Sequence, residues 1–231
     1  MNLLQLAQRL SSECGVTNTP MSTTVNQTGT NGKLVNWIKA AWLEIQGAHD
    51  NWNWMREPFQ FETTANVGDY VPDTLTNTLT NQPFTDLRYW WKDTFRCQKK
   101  SIGIQDEQWL VEWEYLVFRN TYRFNVQVPG RPVVFAIRYN AKAVLLGQIP
   151  DDVYLITGEY QKLPSDLNVD ADVPEMPSHL HMAIVYKAMQ FYGLYEAAPE
   201  VLNRGNIEYS RLMNQLEREQ LPEVYLGNPL A

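Results

Sequence analysis

Residues 177–222 read PSHLHMAIVYKAMQFYGLYEAAPEVLNRGNIEYSRLMNQLEREQLP. Leu180, Ile184, Ala188, Phe191 and Tyr195 recur at three or four residues, the spacing that places side chains on one face of an α-helix, and Pro177 suits its first turn. Pro199 interrupts that helix and opens another, whose stripe is Leu202, Gly205, Tyr209, Leu212 and Leu216, ending before Pro222. Small residues at Ala188 and Gly205 let the two helices approach closely. Neither stripe has enough apolar area to form a core alone, so a complement is needed elsewhere in the chain.

The other end supplies it. Leu3, Leu6, Ala7, Leu10 and Cys14 mark a short amphipathic helix that Gly15 ends. Residues 17–32 are rich in Thr, Asn and Gly and read as a loop. A second helix then carries Leu34, Trp37, Ile38, Ala41, Trp42 and Ile45 on one face. The pair Trp52 and Trp54 follows, near where Pro58 breaks the pattern. Large aromatics at such a boundary seal a core more often than they offer a ligand platform, so both are assigned to sealing.

Between the ends the period changes from helical to alternating. Phe59 and Phe61 alternate with Gln60 and Glu62, and the Gly68-Asp69 turn before Tyr70 and Val71 suggests a hairpin. Residues 73–83 form a Thr/Asn tract with almost no apolar anchor. Thr74, Thr76, Asn77, Thr78, Thr80 and Asn81 are therefore candidates for a tail-facing or partner-facing loop. Tyr89, Trp90 and Trp91 resume strand character, and Leu110, Trp113, Val117 and Phe118 fit a short helix. Tyr122, Phe124, Val126 and Val128 alternate as a strand, Gly130-Arg131-Pro132 turns the chain into residues 133–139, and strands follow at 143–149 and 153–160. The fold class expected is α+β: a helical bundle made by both chain ends, with an inserted antiparallel β-sandwich or small barrel. The boundaries are 1–58 and 164–221 for the bundle, 59–163 for the β insertion and 222–231 for an extended tail.

Composition narrows the function. Lys and Arg number 19 against 26 Asp and Glu, a formal charge of −7, which opposes a protein that grips nucleic acid through concentrated cations. Cys14 and Cys97 make no repeated spacing and read as free thiols of a reducing compartment. No secretory leader and no run approaching the ~20 apolar residues of a membrane span is seen, so no membrane partner is expected. Asp166, Asn168, Asp170 and Asp172 alternate like calcium ligands, but Ala171 stands where such a loop needs Gly and Pro177 where it needs Glu, so no metal is assigned. His179 and His181, two apart on a helix, point about 200° away from each other and cannot share an ion. Asp106-Glu107 and Asp151-Asp152 are adjacent carboxylates on turns, which stay solvated instead of sharing a proton. No catalytic residue and no cofactor is assigned, and the chain is not read as an enzyme.

The succession of these motifs resembles the head-to-tail adaptor (connector) proteins of tailed bacteriophages. The similarity runs through the helix over residues 37–56 with its Trp-x-Trp-Met-Arg ending. It continues in Gly130-Arg131-Pro132 with Phe135, Ala136 and Ile137, and in Pro150-Asp151, Tyr154 and Gly158-Glu159-Tyr160. The acidic linker at 163–177 and the helix at 183–195 extend it over most of the chain. The resemblance implies a virion structural protein at the capsid portal vertex, assembled in the host cytoplasm. Its copies would form a homo-oligomeric ring, a dodecamer, beneath the portal protein, continue the DNA ejection channel and meet tail proteins such as nozzle, tube or fibre. It also implies a portal-docking tail, here Pro222, Glu223, Val224, Tyr225, Leu226, Gly227, Pro229 and Leu230. Twelve copies at −7 each carry −84 formal charges, a sign that lets duplex DNA pass without tight binding, with Arg96, Lys99 and Lys100 at subunit contacts or outside. The rival reading is an aromatic-rich recognition module of a virion that binds glycans or receptors.

Overall fold

The computed structural model describes residues 1–16, 20–124 and 127–222. Along the chain run helices α1 (Leu3–Glu13) and α2 (Gly29–Ala48), then strands β1 (Arg56–Glu62), β2 (Asp69–Tyr70), β3 (Thr76–Asn77), β4 (Gln82–Pro83), β5 (Leu87–Lys99), β6 (Gln108–Trp109) and β7 (Val111–Glu112). Helix α3 (Tyr115–Tyr122) precedes β8 (Val134–Arg138), β9 (Ala143–Gly147) and β10 (Tyr154–Lys162), and helices α4 (Met182–Tyr195) and α5 (Pro199–Gln220) close the order. The chain divides into two compact units, one of Met1–Met55 with the chain from Pro164 onward, the other Arg56–Leu163. Strand β1 takes in Arg56, Glu57 and Pro58, so the β insertion starts three residues before the expected boundary at 58/59.

The helical unit joins both chain ends, as the two pairs of apolar stripes require. Helix α1 opens with a capping box in which Asn2 and Gln5 exchange side-chain and backbone bonds, and Gly15 at φ +63° stops it. Helix α4 packs on α1, α2 and α5, and buries Ala183, Ile184, Val185, Ala188 and Met189. Leu3, Leu6 and Leu10 meet Leu34, Ile38, Trp42 and Ile45 in the same core, which Leu212, Met213 and Leu216 complete. The returning linker is fastened to the start of the chain: Leu3 N–H donates to Asp172 O at 2.8 Å, and Ser165 N–H to Gln46 Oε1 at 2.9 Å. Pro177 caps a short 3-10 turn, Ser178–Leu180, and α4 proper begins at Met182, later than the proline alone predicts. The stripe also ends sooner, since Tyr195 is exposed.

Close helix contact at Gly205 is present, and the structure adds a tighter one. A Cβ at Gly193 would lie 2.8 Å from both the N and the Cβ of Leu202, whereas one at Gly47 meets nothing within 4 Å. Gly193→Ala is therefore expected to cost about 1–3 kcal/mol by overpacking. Gly47→Ala, in the exposed last turn of α2, should be neutral or gain up to about 0.5 kcal/mol. Urea denaturation checks both, and equal effects would show that the α4–α5 approach is not tight.

The β unit is built from two four-stranded sheets, ordered β1-β10-β5-β6 and β2-β9-β8-β7, and the small hairpin β3-β4. Aromatics from both sheets share one core: Phe59, Trp90, Phe95 and Tyr160 from the first meet Tyr70 and Phe135 from the second. Phe95 stacks on Phe135 with centroids 4.2 Å apart. The inserted sheets are antiparallel, as expected, apart from one short edge pair, and four details are corrected here. Phe59 and Phe61 do not form a hairpin with Tyr70; β1 pairs antiparallel with β10, Arg56 opposite Gln161, and β2 pairs with β9. The second sheet is not wholly antiparallel, because β7 and β8 run parallel. The segment from Tyr122 is no strand among its described residues. Tyr122 ends helix α3, which Glu114 caps by accepting from Leu116 and Val117 N–H, while Phe124 and Val128 are exposed outside any strand. Helix α3 itself begins at Tyr115, leaving Leu110 and Trp113 in extended chain.

Candidate functional site

The Thr/Asn tract is structured, contrary to the expectation that it lacks anchors. Thr76 and Asn77 of β3 pair with Gln82 and Pro83 of β4. Asn77 is 2% exposed, although both its chain neighbours are polar and neither gives it an apolar grip. Its amide takes the place of one: Nδ2 donates to Pro58 O at 3.1 Å, and Oδ1 accepts Gln60 N–H at 3.1 Å. Thr78 adds a backbone bond to Gln60 O at 2.8 Å. Thr74, Thr80 and Asn81 stay on the surface of this hairpin, and Leu79 projects from its tip with 54% exposure.

Trp52 is fully buried, donates Nε1–H to Ile45 O at 3.0 Å and stacks on Trp54 at 4.3 Å. The expected portal-docking residues Glu223, Val224, Tyr225, Leu226, Gly227, Pro229 and Leu230 lie outside the described residues. Of the expected tail only Pro222 is described, and Leu221 just before it packs on the helical core.

The ionisable groups are committed to one another. Asp106 accepts Lys99 N–H at 2.7 Å and Arg131 Nη1–H at 2.6 Å, and these bonds hold its carboxyl below the usual range. Arg96 meets Glu107 at 2.9 Å, Lys99 meets Asp152 at 2.9 Å and Lys100 meets Glu62 at 2.6 Å. The three basic residues expected at contacts or outside are thus tied within the β unit. Burial pushes the Cys14 and Cys97 thiols up to about 12, so neither is a thiolate at neutral pH. Among the described residues no group of three or more His, Cys, Asp or Glu is placed to hold a metal ion, and no helix is long and apolar enough to cross a membrane.

His181 is 1% exposed, with Nδ1 2.6 Å from the Met1 amino nitrogen and Nε2 3.0 Å from Met176 O. Burial pulls its pKa below the ordinary histidine value, and the neighbouring amino-terminal charge adds to this, against opposing hydrogen bonds. An unfolded chain therefore binds the proton more readily than the folded one. Stability is full above the ordinary value near 6.5 and declines as pH falls from there toward the depressed native value. Urea midpoints at pH 7.5 and 5.5 should differ in that sense, and the difference should shrink in His181→Gln; an equal drop in both proteins would assign it to other groups.

Among the described residues this arrangement offers ordered surfaces and internal ion pairs. The model of a protein family described as SU10 adaptor protein matches residues 1–228. The chain belongs to the SU10 adaptor protein family. This is a family of phage virion adaptors, structural proteins whose partners are other virion proteins. A search of curated proteins returns no match. For an SU10 adaptor, two features escape sequence reading: the side-chain anchoring of the Thr/Asn hairpin, and a concave patch on the outer face of the first sheet. Exposed Trp109 and the Gly158-Glu159 pair in one sheet-forming region were the available signals, but only the strand register brings them together.

Proposed function

We propose that this SU10 adaptor is a head-to-tail adaptor: its copies assemble side by side into a ring, a dodecamer, beneath the portal vertex of the capsid. The ring continues the channel for packaged DNA and offers its far side to tail proteins. Family membership over residues 1–228 carries this reading. Exposed Leu43, Leu194 and Ile207 on the helical unit support it, since neighbouring copies would cover side chains that solvent does not favour. The charge of −7 supports passage of duplex DNA without retention.

The apolar tail at 222–231 is assigned to the portal, because an apolar terminal segment gains from burial against a partner. Mass measurement of the purified protein, alone and mixed with its portal protein, tests the reading. A closed ring on the portal is expected. A chain that stays monomeric and ignores the portal would overturn it. Duplex DNA should flow past the assembled ring at low salt, and tight retention would refute the channel assignment.

A further inference from the structure

The outer face of the first sheet carries a groove of about 390 Å³, lined by Gln60 and Leu79 on one side, Arg96, Glu107 and Trp109 on the other, and Thr157, Gly158 and Glu159 along its floor. It is built by an irregular register. Thr157 pairs with Arg96 and Glu159 with Trp91, so residues 92–95 of β5 bulge opposite Gly158 alone. Thr94 stabilises the bulge, accepting Glu159 N–H at 2.9 Å and donating to Trp91 O at 2.6 Å. A Cβ at Gly158 would lie 2.8 Å from the buried Phe59 ring on the core side, so that position is confined to glycine and the bulge is kept there.

Two matching triplets flank the depression. Arg96 lies over the Trp109 ring at 4.2 Å and binds Glu107. Arg56 lies over the Trp91 ring at 4.3 Å and binds Glu159. Each guanidinium is held between an indole and a carboxylate, so the side chains are fixed in place before any ligand arrives. Trp109 nevertheless remains 58% exposed.

The chemistry of this lining excludes most ligand classes. Each carboxylate is already paired with an arginine, which disfavours a cation, and each guanidinium is already committed to its carboxylate, which disfavours phosphate. The floor strand β10 is paired on both sides, by β1 and β5, so it offers no free backbone edge for an extended peptide. What remains is an uncharged ligand with many hydroxyls and one apolar face. We propose that this groove binds a neutral saccharide unit, with Trp109 as the stacking wall and Gln60, Thr157, Glu159 and the Arg96–Glu107 pair as hydroxyl partners. The volume lies within the roughly 300–1,000 Å³ of small-molecule sites. Leu79 places the Thr/Asn hairpin at the rim, where it would meet the next sugar of a longer chain.

The test uses the full-length protein, titrated with maltose, lactose, cellobiose and diacetylchitobiose as neutral probes and sialyllactose as an anionic one, followed by saturation-transfer NMR and tryptophan fluorescence. At least one neutral disaccharide should bind, Trp109→Ala should weaken it about tenfold or more, and Trp109→Phe should retain it. Because the ring is exposed, both variants should melt like the parent, so a loss of binding reports on the groove. Absence of binding up to ~20 mM, well beyond a Kd of about 1 mM, would overturn the proposal. So would binding of sialyllactose alone, binding unaffected by Trp109→Ala, or protection of Trp109 by a virion polypeptide but by no sugar. None of these outcomes touches the adaptor role, which the portal experiment decides separately.

Discussion

Trp52→Ala should lower the unfolding free energy by about 3–5 kcal/mol, a large share of the roughly 5–15 kcal/mol that holds an ordinary domain together. The side chain is completely buried, bonded to Ile45 O at 3.0 Å, stacked on Trp54 at 4.3 Å and set edge-on to His49 at 4.8 Å. Alanine removes all four contributions and leaves a void in the core of the helical unit. Trp52→Phe keeps most of the apolar volume but strands the Ile45 carbonyl, for a smaller loss of about 1–2 kcal/mol. Urea denaturation of the helical signal separates the two. A Trp52→Ala protein as stable as the parent would mean that the pair does not seal the core, and the ligand-platform reading of these indoles would return.

Deleting residues 223–231 should leave the fold intact and abolish portal docking, with a loss of at least about a hundredfold in affinity. Val224, Tyr225, Leu226 and Leu230 are large apolar groups, and burying each such side chain contributes about 1.5–3 kcal/mol. A cut that also removes Leu221 is less informative, because Leu221 packs on the helical core and its loss would also touch stability. Surface plasmon resonance against immobilised portal rings gives the affinity, and circular dichroism confirms the fold. Truncated protein that docks as tightly as the full chain would move the portal contact to another part of the molecule.

Sequence periodicity located the helical unit well, for a local reason. Leu3, Leu6 and Leu10, or Leu212 and Leu216, reveal their face through neighbours three and four residues away, and that face is the one they bury. The β unit is legible in part. Inward residues such as Phe59, Phe61 and Ile156 alternate as they should, yet the partner of each strand is not a local property. Gly68-Asp69 resembles a hairpin turn, but β1 finds β10 about ninety residues later, where Tyr160, Gly158 and Ile156 face the shared core. Tyr122 misleads for a different reason. It sits four residues after Phe118, so it belongs to a helical pair, and the two rings close over Gly147, whose missing side chain makes room for them. Asn77 shows a third limit: a buried polar residue supported by its own amide bonds leaves no hydrophobic trace to read.

The groove was the least accessible feature. Its residues come from β1, the Thr/Asn hairpin, β5, β6 and β10, and its concavity depends on a register slip that no short stretch encodes. The family match over residues 1–228 assigns the chain to virion adaptors, while this surface is a property of its own side chains.

The pairing of β1 with β10 has an evolutionary corollary. With Arg56 opposite Gln161, the polypeptide enters and leaves the β unit through adjacent doorways, as a cassette does in its housing. A genome can exchange such a cassette through two nearby splice points while the helices contributed by both termini keep their own packing.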